Sequence, residues 1–256
     1  MAYSRLPLKD PRTIARDIPG ICDILFPQLT AGTVLYFNKR TRSIDNVKEI
    51  PNSYIEKSSI QHAMLFEIAY ARGEQMLDGK TTPDWDDCLE VAIKRQRRHF
   101  DAVLPDKLKD ADKLVAEWVG KNIANMLYGL HAGATDTELV RSPRVFGFQW
   151  LAPGEGDFSF SDTLIEVKCT SKNFSSADYR QILIYWLLSY ASAIELGTTE
   201  WLTGVLMNPR LNRVVEVSFN ELIQVTAAGK SKIEIIELFN SVVGDYALKE
   251  LAEFKM

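Results

Sequence analysis

With 256 residues, 46% of them hydrophobic, the chain can bury a sizeable core as one large domain or as a domain with a substantial extension. Charged residues make up 25% and the formal net charge is −4, which excludes a disordered polyelectrolyte and a uniformly nucleic-acid-coating surface; any phosphate binding has to be local. Three widely spaced cysteines, Cys22, Cys88 and Cys169, make no disulfide framework, and His62, His99 and His131 show no zinc spacing, so a reducing, cytoplasmic compartment is expected.

The opening MAYSRLPLKDPRTIARDIPG lacks the apolar centre of a signal peptide, and no later run approaches the ~18 apolar residues of a membrane span. A soluble, unprocessed chain is the expectation. The first ~55 residues mix Pro, Gly and short apolar runs, among which GTVLYFNKR, residues 32–40, alternates enough to be predicted as a strand. From Ser58 the pattern turns helical, with Ile60, Met64, Phe66, Ile68 and Met76 among small and polar residues. A second helix is predicted from Thr82 as N-cap and Pro83 at the first helical position, followed by Asp84, Asp86 and Asp87, with its end marked by Pro105. Its basic run, Lys94, Arg95, Arg97 and Arg98, complements the helix dipole and reads as a solvated face. A third helix carries Leu114, Trp118, Ile123, Met126 and Leu130 at helical spacing and stops near Gly133.

Beyond it the periodicity changes. RVFGFQWL (144–151) and DTLIEVK (162–168) are predicted strands, with a short strand at 158–160 in the turn-prone segment between them. The apolar helix ADYRQILIYWLLSYASAIEL follows, with Ser176 as its cap and Lys172 just upstream as an open phosphate contact. WLTGVLMN (201–208) and RVVEVSF (213–219) flank Pro209–Asn212 as a hairpin, after which Ser218 and Glu221 suggest a capping box and helices fill the remainder. The order is that of an α/β protein, a small mixed β-sheet flanked by helices, with a mainly helical N-terminal extension over 1–110 and the core over 111–256.

Side chains alternate along a strand, so Ile165 and Val167 share one face of DTLIEVK while Glu166 and Lys168 share the other. Asp157 precedes Glu166 across a glycine-containing turn, close enough in sequence for its carboxylate to be brought beside that of Glu166. Two adjacent carboxylates repel unless a cation joins them, and hard oxygen ligands suit Mg²⁺, with Mn²⁺ as substitute. A cation there polarises a phosphoryl oxygen and acidifies water, while a nearby ammonium such as Lys168 positions that water.

The string GEGDFSFSDTLIEVK, with Asp157, Glu166 and Lys168 in D-x8-E-x-K order, resembles the signature of the PD-(D/E)xK nuclease superfamily, although Glu155 and Gly156 stand before the aspartate where the name has proline. Gln181 and Tyr185, in QILIY, resemble the Q-x-x-x-Y motif of its RecB-like members; their spacing puts an amide and a phenol on one helix face. The resemblance covers about residues 112–220 and implies a restriction-endonuclease-like core hydrolysing DNA phosphodiesters with Mg²⁺ held by Asp157 and Glu166. It also implies a further glutamate from a preceding helix, for which Glu117 is the first candidate and Glu67 its rival. A role in repair, restriction or anti-phage defence would call for a separate helicase, ATPase or other defence-system subunit. The competing expectation is a non-catalytic nucleic-acid-binding or assembly module that keeps the fold and uses the charged face as an ion-pair network. Cys169 and the three histidines read as packing or surface residues.

Overall fold

The computed structural model describes residues 9–16, 20–97, 103–132 and 138–253; Arg98, His99 and Gly133, named above, lie outside them. Two short helices, α1 (Pro11–Arg16) and α2 (Ile21–Leu25), come first. The predicted strand at 32–40 is instead helix α3 (Ala31–Asn38), because Thr30 accepts the Thr33 N–H and caps a first turn. Its apolar run does not report a buried face: Phe37 is buried, whereas Leu35 and Tyr36 are largely exposed.

After α4 (Asn52–Ile55) comes α5 (His62–Leu77). Helix α6 (Trp85–Gln96) begins later than Thr82 implied, because Asp84 is its cap and accepts the Asp87 N–H at 3.1 Å; Pro83 lies outside the helix, which also ends well before Pro105. Helix α7 (Asp110–His131) packs along α5 at two glycines. A Cβ on Gly120 would stand 3.0 Å from Ala69 O and from Gly73 N, so the two backbones meet where no side chain intervenes.

Of the predicted strand at 144–151, the structure forms only its start. Strand β1 (Val140–Arg141) is followed by β2 (Arg144–Val145), which pairs with β3 (Gly154–Glu155). Between them Phe148 and Leu151 exchange backbone hydrogen bonds around Gln149, whose φ of 52° closes a tight turn and ends the strand. The short strand β4 (Phe158–Phe160) and β5 (Thr163–Val167) fall where the alternation placed them. Helix α8 (Ser176–Leu196) is capped by Ser175 rather than Ser176, in a reciprocal box with Asp178. The hairpin of β6 (Thr203–Asn208) and β7 (Arg213–Ser218) leads into α9 (Phe219–Thr226) and α10 (Lys232–Glu253). The capping box expected at Ser218 does not form: the Ser218 side chain makes no cap bond, and Glu221 accepts from Arg40 at 2.7 Å.

The main sheet has five strands in the order β1-β4-β5-β6-β7, antiparallel except for the parallel pair β5–β6, which α8 connects as a crossover. Both faces are covered. Leu164, Leu206, Val215 and Val217 join α8 and residues of α1 to α3 in one apolar cluster. Phe158, Ile165, Val205, Met207 and Val214 join α5 and α7 in the other. The face that alternation gave to Glu166 and Lys168 is also that of Leu164, and Glu166 is buried there beneath α8. Among the described residues no helix is long and apolar enough to cross a membrane.

Candidate active site

Strand β4 pairs with β5 as far as Phe158↔Ile165, and Asp157 and Glu166 are the next residues beyond that pair on each side. The short antiparallel return from β4 into β5 thus brings the two carboxylates near enough for the Asp157 charge to act on the Glu166 carboxyl. Asp157 sits where the ribbon kinks out of the sheet. Its carbonyl accepts from Ser142 N, Ser142 itself has φ 47°, and Gly156 N donates to Pro143 O. The Asp157 carboxylate is fixed through Oδ2, which accepts the Val167 N–H at 2.6 Å, and Tyr70 holds the Asp157 carbonyl at 3.1 Å.

Glu166 is 2% exposed. Its Oε2 accepts from Gln181 Nε2 at 2.7 Å and from Lys168 Nζ at 3.3 Å, while Lys168 Nζ also donates to Gln181 Oε1 at 2.8 Å. The amide of Gln181 thus closes a triangle with the acid and the base. Its Nε2 also donates to Tyr185 Oη at 3.3 Å, and that hydroxyl donates to Glu155 O. The spacing puts Gln181 and Tyr185 on one face of α8, where Gln181 meets Glu166 of β5 and Tyr185 meets Glu155 of β3. Burial, reinforced by Asp157, pushes the Glu166 carboxyl up to about 8; burial and the Glu166 charge push the Tyr185 phenol up.

The other oxygen, Glu166 Oε1, is buried and has no hydrogen-bond partner among the described residues. A Cβ on Gly156 would lie 3.5 Å from it, so glycine leaves this oxygen its room. A buried carboxylate oxygen without a donor is costly, and a cation shared with Asp157 would satisfy it. Among the described residues no three His, Cys, Asp or Glu side chains gather into a metal cage. Two carboxylates are nonetheless the donor set that Mg²⁺ takes, since it keeps most of its water, and the residues present fit such an ion.

Of the two candidates for a further acid, Glu117 is engaged elsewhere: it accepts from Arg72 Nε at 2.7 Å, and Arg72 in turn holds Lys80 O and Thr81 O. Glu67 lines the cleft that contains Asp157. Burial, opposed in part by Arg95 and aided by Asp157, raises its carboxyl above the ordinary range. Glu67, Tyr70 and Glu74 follow one stripe of α5, so a single helix face supplies the acid, the phenol that holds Asp157 and the partner of Arg95.

The cleft, of about 390 Å³, is also lined by Arg12, Lys94, Arg95, Ser142, Glu155 and Gly156. Lys94 and Arg95 occupy the last turn of α6, as the dipole argument held, but they also face Asp157 across the cleft, which that argument did not foresee. Arg12 carries no local sequence signal; its position on α1 matters only because α1 packs against α8. Cys169 lies beside the second apolar cluster, and Cys22, Cys88 and Cys169 are unbridged. Compared with protein-family models, curated proteins and solved structures, the chain matches none.

Proposed function

We propose that this chain is a metal-dependent nuclease of the PD-(D/E)xK class, RecB-like in its Q-x-x-x-Y helix, hydrolysing DNA phosphodiesters on a restriction-endonuclease-like core. The observation that carries the reading is the buried Glu166 carboxylate, with Lys168 and Gln181 on one oxygen, none on the other, and Asp157 close enough for its charge to act on it. Asp157 and Glu166 would hold Mg²⁺ or Mn²⁺, with Glu67 as the adjacent third acid in place of Glu117. When bound, the ion supplies Lewis acidity toward a phosphoryl oxygen and lowers the pKa of water.

The chain's own side chains supply the rest. Gln181 holds Glu166 and Lys168 in a fixed relation, so neither reorganises as charge develops. Lys168, 10% exposed, keeps an ammonium beside the carboxylates, where it orients a water and offsets negative charge on the phosphoryl group. Three unbridged cysteines suit work in the cytoplasm, alongside a separate helicase, ATPase or other defence-system subunit.

The test is cleavage of linear, circular and single-stranded DNA, and of RNA, with Mg²⁺, Mn²⁺ or chelator, for wild type and for Asp157→Asn and Lys168→Ala. Metal-dependent cutting that both substitutions abolish supports the reading. A folded wild type that cuts none of these, or variants that cut at the wild-type rate, overturns it and leaves a non-catalytic module.

A further inference from the structure

Asp157 stands one residue before β4, at the kink, so the direction of its side chain depends on how its own peptide is held. Its carbonyl accepts the Ser142 N–H at 3.0 Å and the Tyr70 hydroxyl at 3.1 Å. Tyr70 comes from α5, outside the stretch 112–220 that carries the sequence motifs. Its ring stacks on Phe158, the residue after Asp157, with centroids 5.3 Å apart and planes at 23°. The guanidinium of Arg95 lies 5.0 Å from the same ring and is itself fixed by Nη2, which donates to both oxygens of Glu74 at 2.9 Å. One phenol therefore grips two consecutive residues of the ribbon, Phe158 by its ring and Asp157 by its hydroxyl. Burial first and the Asp157 charge second push that phenol well above its ordinary range, so the hydroxyl remains a donor.

A hydroxyl on a backbone carbonyl acts by orientation: it sets the peptide plane and, through it, where the carboxylate points. Groups that orient a metal-binding carboxylate matter nearly as much as the carboxylate itself, because a small misplacement of the reacting groups is costly. We infer that Tyr70 is a positioning residue of the candidate active site, holding the Asp157 carboxylate in place through its backbone carbonyl, so that α5 and α6 belong to the framework of the site and are not a detachable extension. This rests on the reading of Asp157 and Glu166 as a metal-dependent phosphodiester site. The structure supplies a reporter that needs neither metal nor substrate. Just past β5 the Lys168 N–H donates to Met207 O at 2.8 Å, a bond to β6, whereas the adjoining Val167 N–H donates to the Asp157 carboxylate at 2.6 Å.

The experiment is amide hydrogen exchange of the full chain in chelator, followed by heteronuclear NMR, for wild type and for Tyr70→Phe, which keeps the ring on Phe158 and removes the hydroxyl; circular dichroism checks that the variant is folded. The Val167 amide is expected to exchange about ten-fold faster in the variant while the Lys168 amide keeps its rate, since local loosening at Asp157 reaches only the first of them. A general loss of stability would speed both. In cleavage assays kcat is expected to fall about ten-fold and the half-saturating Mg²⁺ concentration to rise by a similar factor, with KM for DNA unchanged, because a group acting through Asp157 does not touch the substrate. Unchanged Val167 exchange, equal acceleration of both amides, an unchanged kcat beside faster exchange, or a rise in KM alone overturns the inference. If Val167 alone exchanges faster but wild type cuts nothing with Mg²⁺ or Mn²⁺, the nuclease reading falls and the hold of Tyr70 on Asp157 stands. If wild type cuts DNA and Tyr70→Phe matches it in rate and in exchange, the reverse holds.

Discussion

Gln181 donates its amide N–H to Glu166 at 2.7 Å, and both side chains are 2% exposed, so a helix and a strand are joined at the candidate site by a buried amide–carboxylate hydrogen bond. The same amide accepts from Lys168 through its oxygen, and its two ends are therefore not interchangeable.

Gln181→Ala removes a donor to Glu166 and an acceptor for Lys168 at once. It is expected to cost about 1–3 kcal/mol of stability and to lower cleavage about 10- to 100-fold. Tyr185→Phe, which loses only 3.3 Å contacts, should cost less than about 1 kcal/mol. Urea unfolding run beside a cleavage assay checks both; equal effects from the two substitutions would show that the amide has no special place.

Stability of the metal-free protein should depend on pH through Glu166, whose carboxyl is raised to about 8 by burial first and Asp157 second. Because the folded value lies above the unfolded one, near the ordinary ~4.3, the folded state binds the extra proton. The contribution is present in full below the unfolded value and is lost as pH rises toward about 8. Thermal melts between about pH 5 and 8.5 should show the loss, and Glu166→Gln should reduce it. A pH dependence identical in the variant would assign the titration elsewhere.

Glu67 and Glu117 should separate activity from stability. Glu67→Gln removes a carboxylate from the cleft and is expected to reduce cleavage and to raise the Mg²⁺ concentration needed, by about tenfold or more, with little change in unfolding. Glu117→Ala leaves Arg72, 1% exposed, without its carboxylate and is expected to cost roughly 2 kcal/mol with cleavage retained. The opposite pattern would restore Glu117 to the site.

Gly156→Ala tests how tightly the floor of the cleft is built. The added Cβ would stand 2.9 Å from Leu164 Cδ1 and 3.2 Å from Pro143 Cγ, so something in the kinked ribbon must shift. Overpacking of this kind costs about 1–3 kcal/mol, and a displaced Asp157 should lower cleavage with it. A variant with wild-type stability and rate would mean that the ribbon yields freely.

By itself the sequence determined what periodicity and short spacing control. Strand alternation set Glu166 and Lys168 on one face, the α8 repeat set Gln181 and Tyr185 on another, and a short connection let Asp157 meet Glu166, because each relation spans one or two elements whose geometry is fixed locally. What alternation could not reveal is that the Glu166 face is buried, since burial depends on what packs against a strand. Residues 32–40 were misread for a related reason: VLYF alternates no more than an exposed helix does, and the Thr30 cap settles the matter only once the turn exists. Only the tertiary structure sets Glu67 and Glu117 apart, both on helices before the sheet, by pairing Glu117 with Arg72 and placing Glu67 in the cleft that Asp157 also lines. It also brought Arg12, Lys94 and Arg95 to the cleft from more than 60 residues away along the chain, a distance over which no repeat or spacing rule carries information.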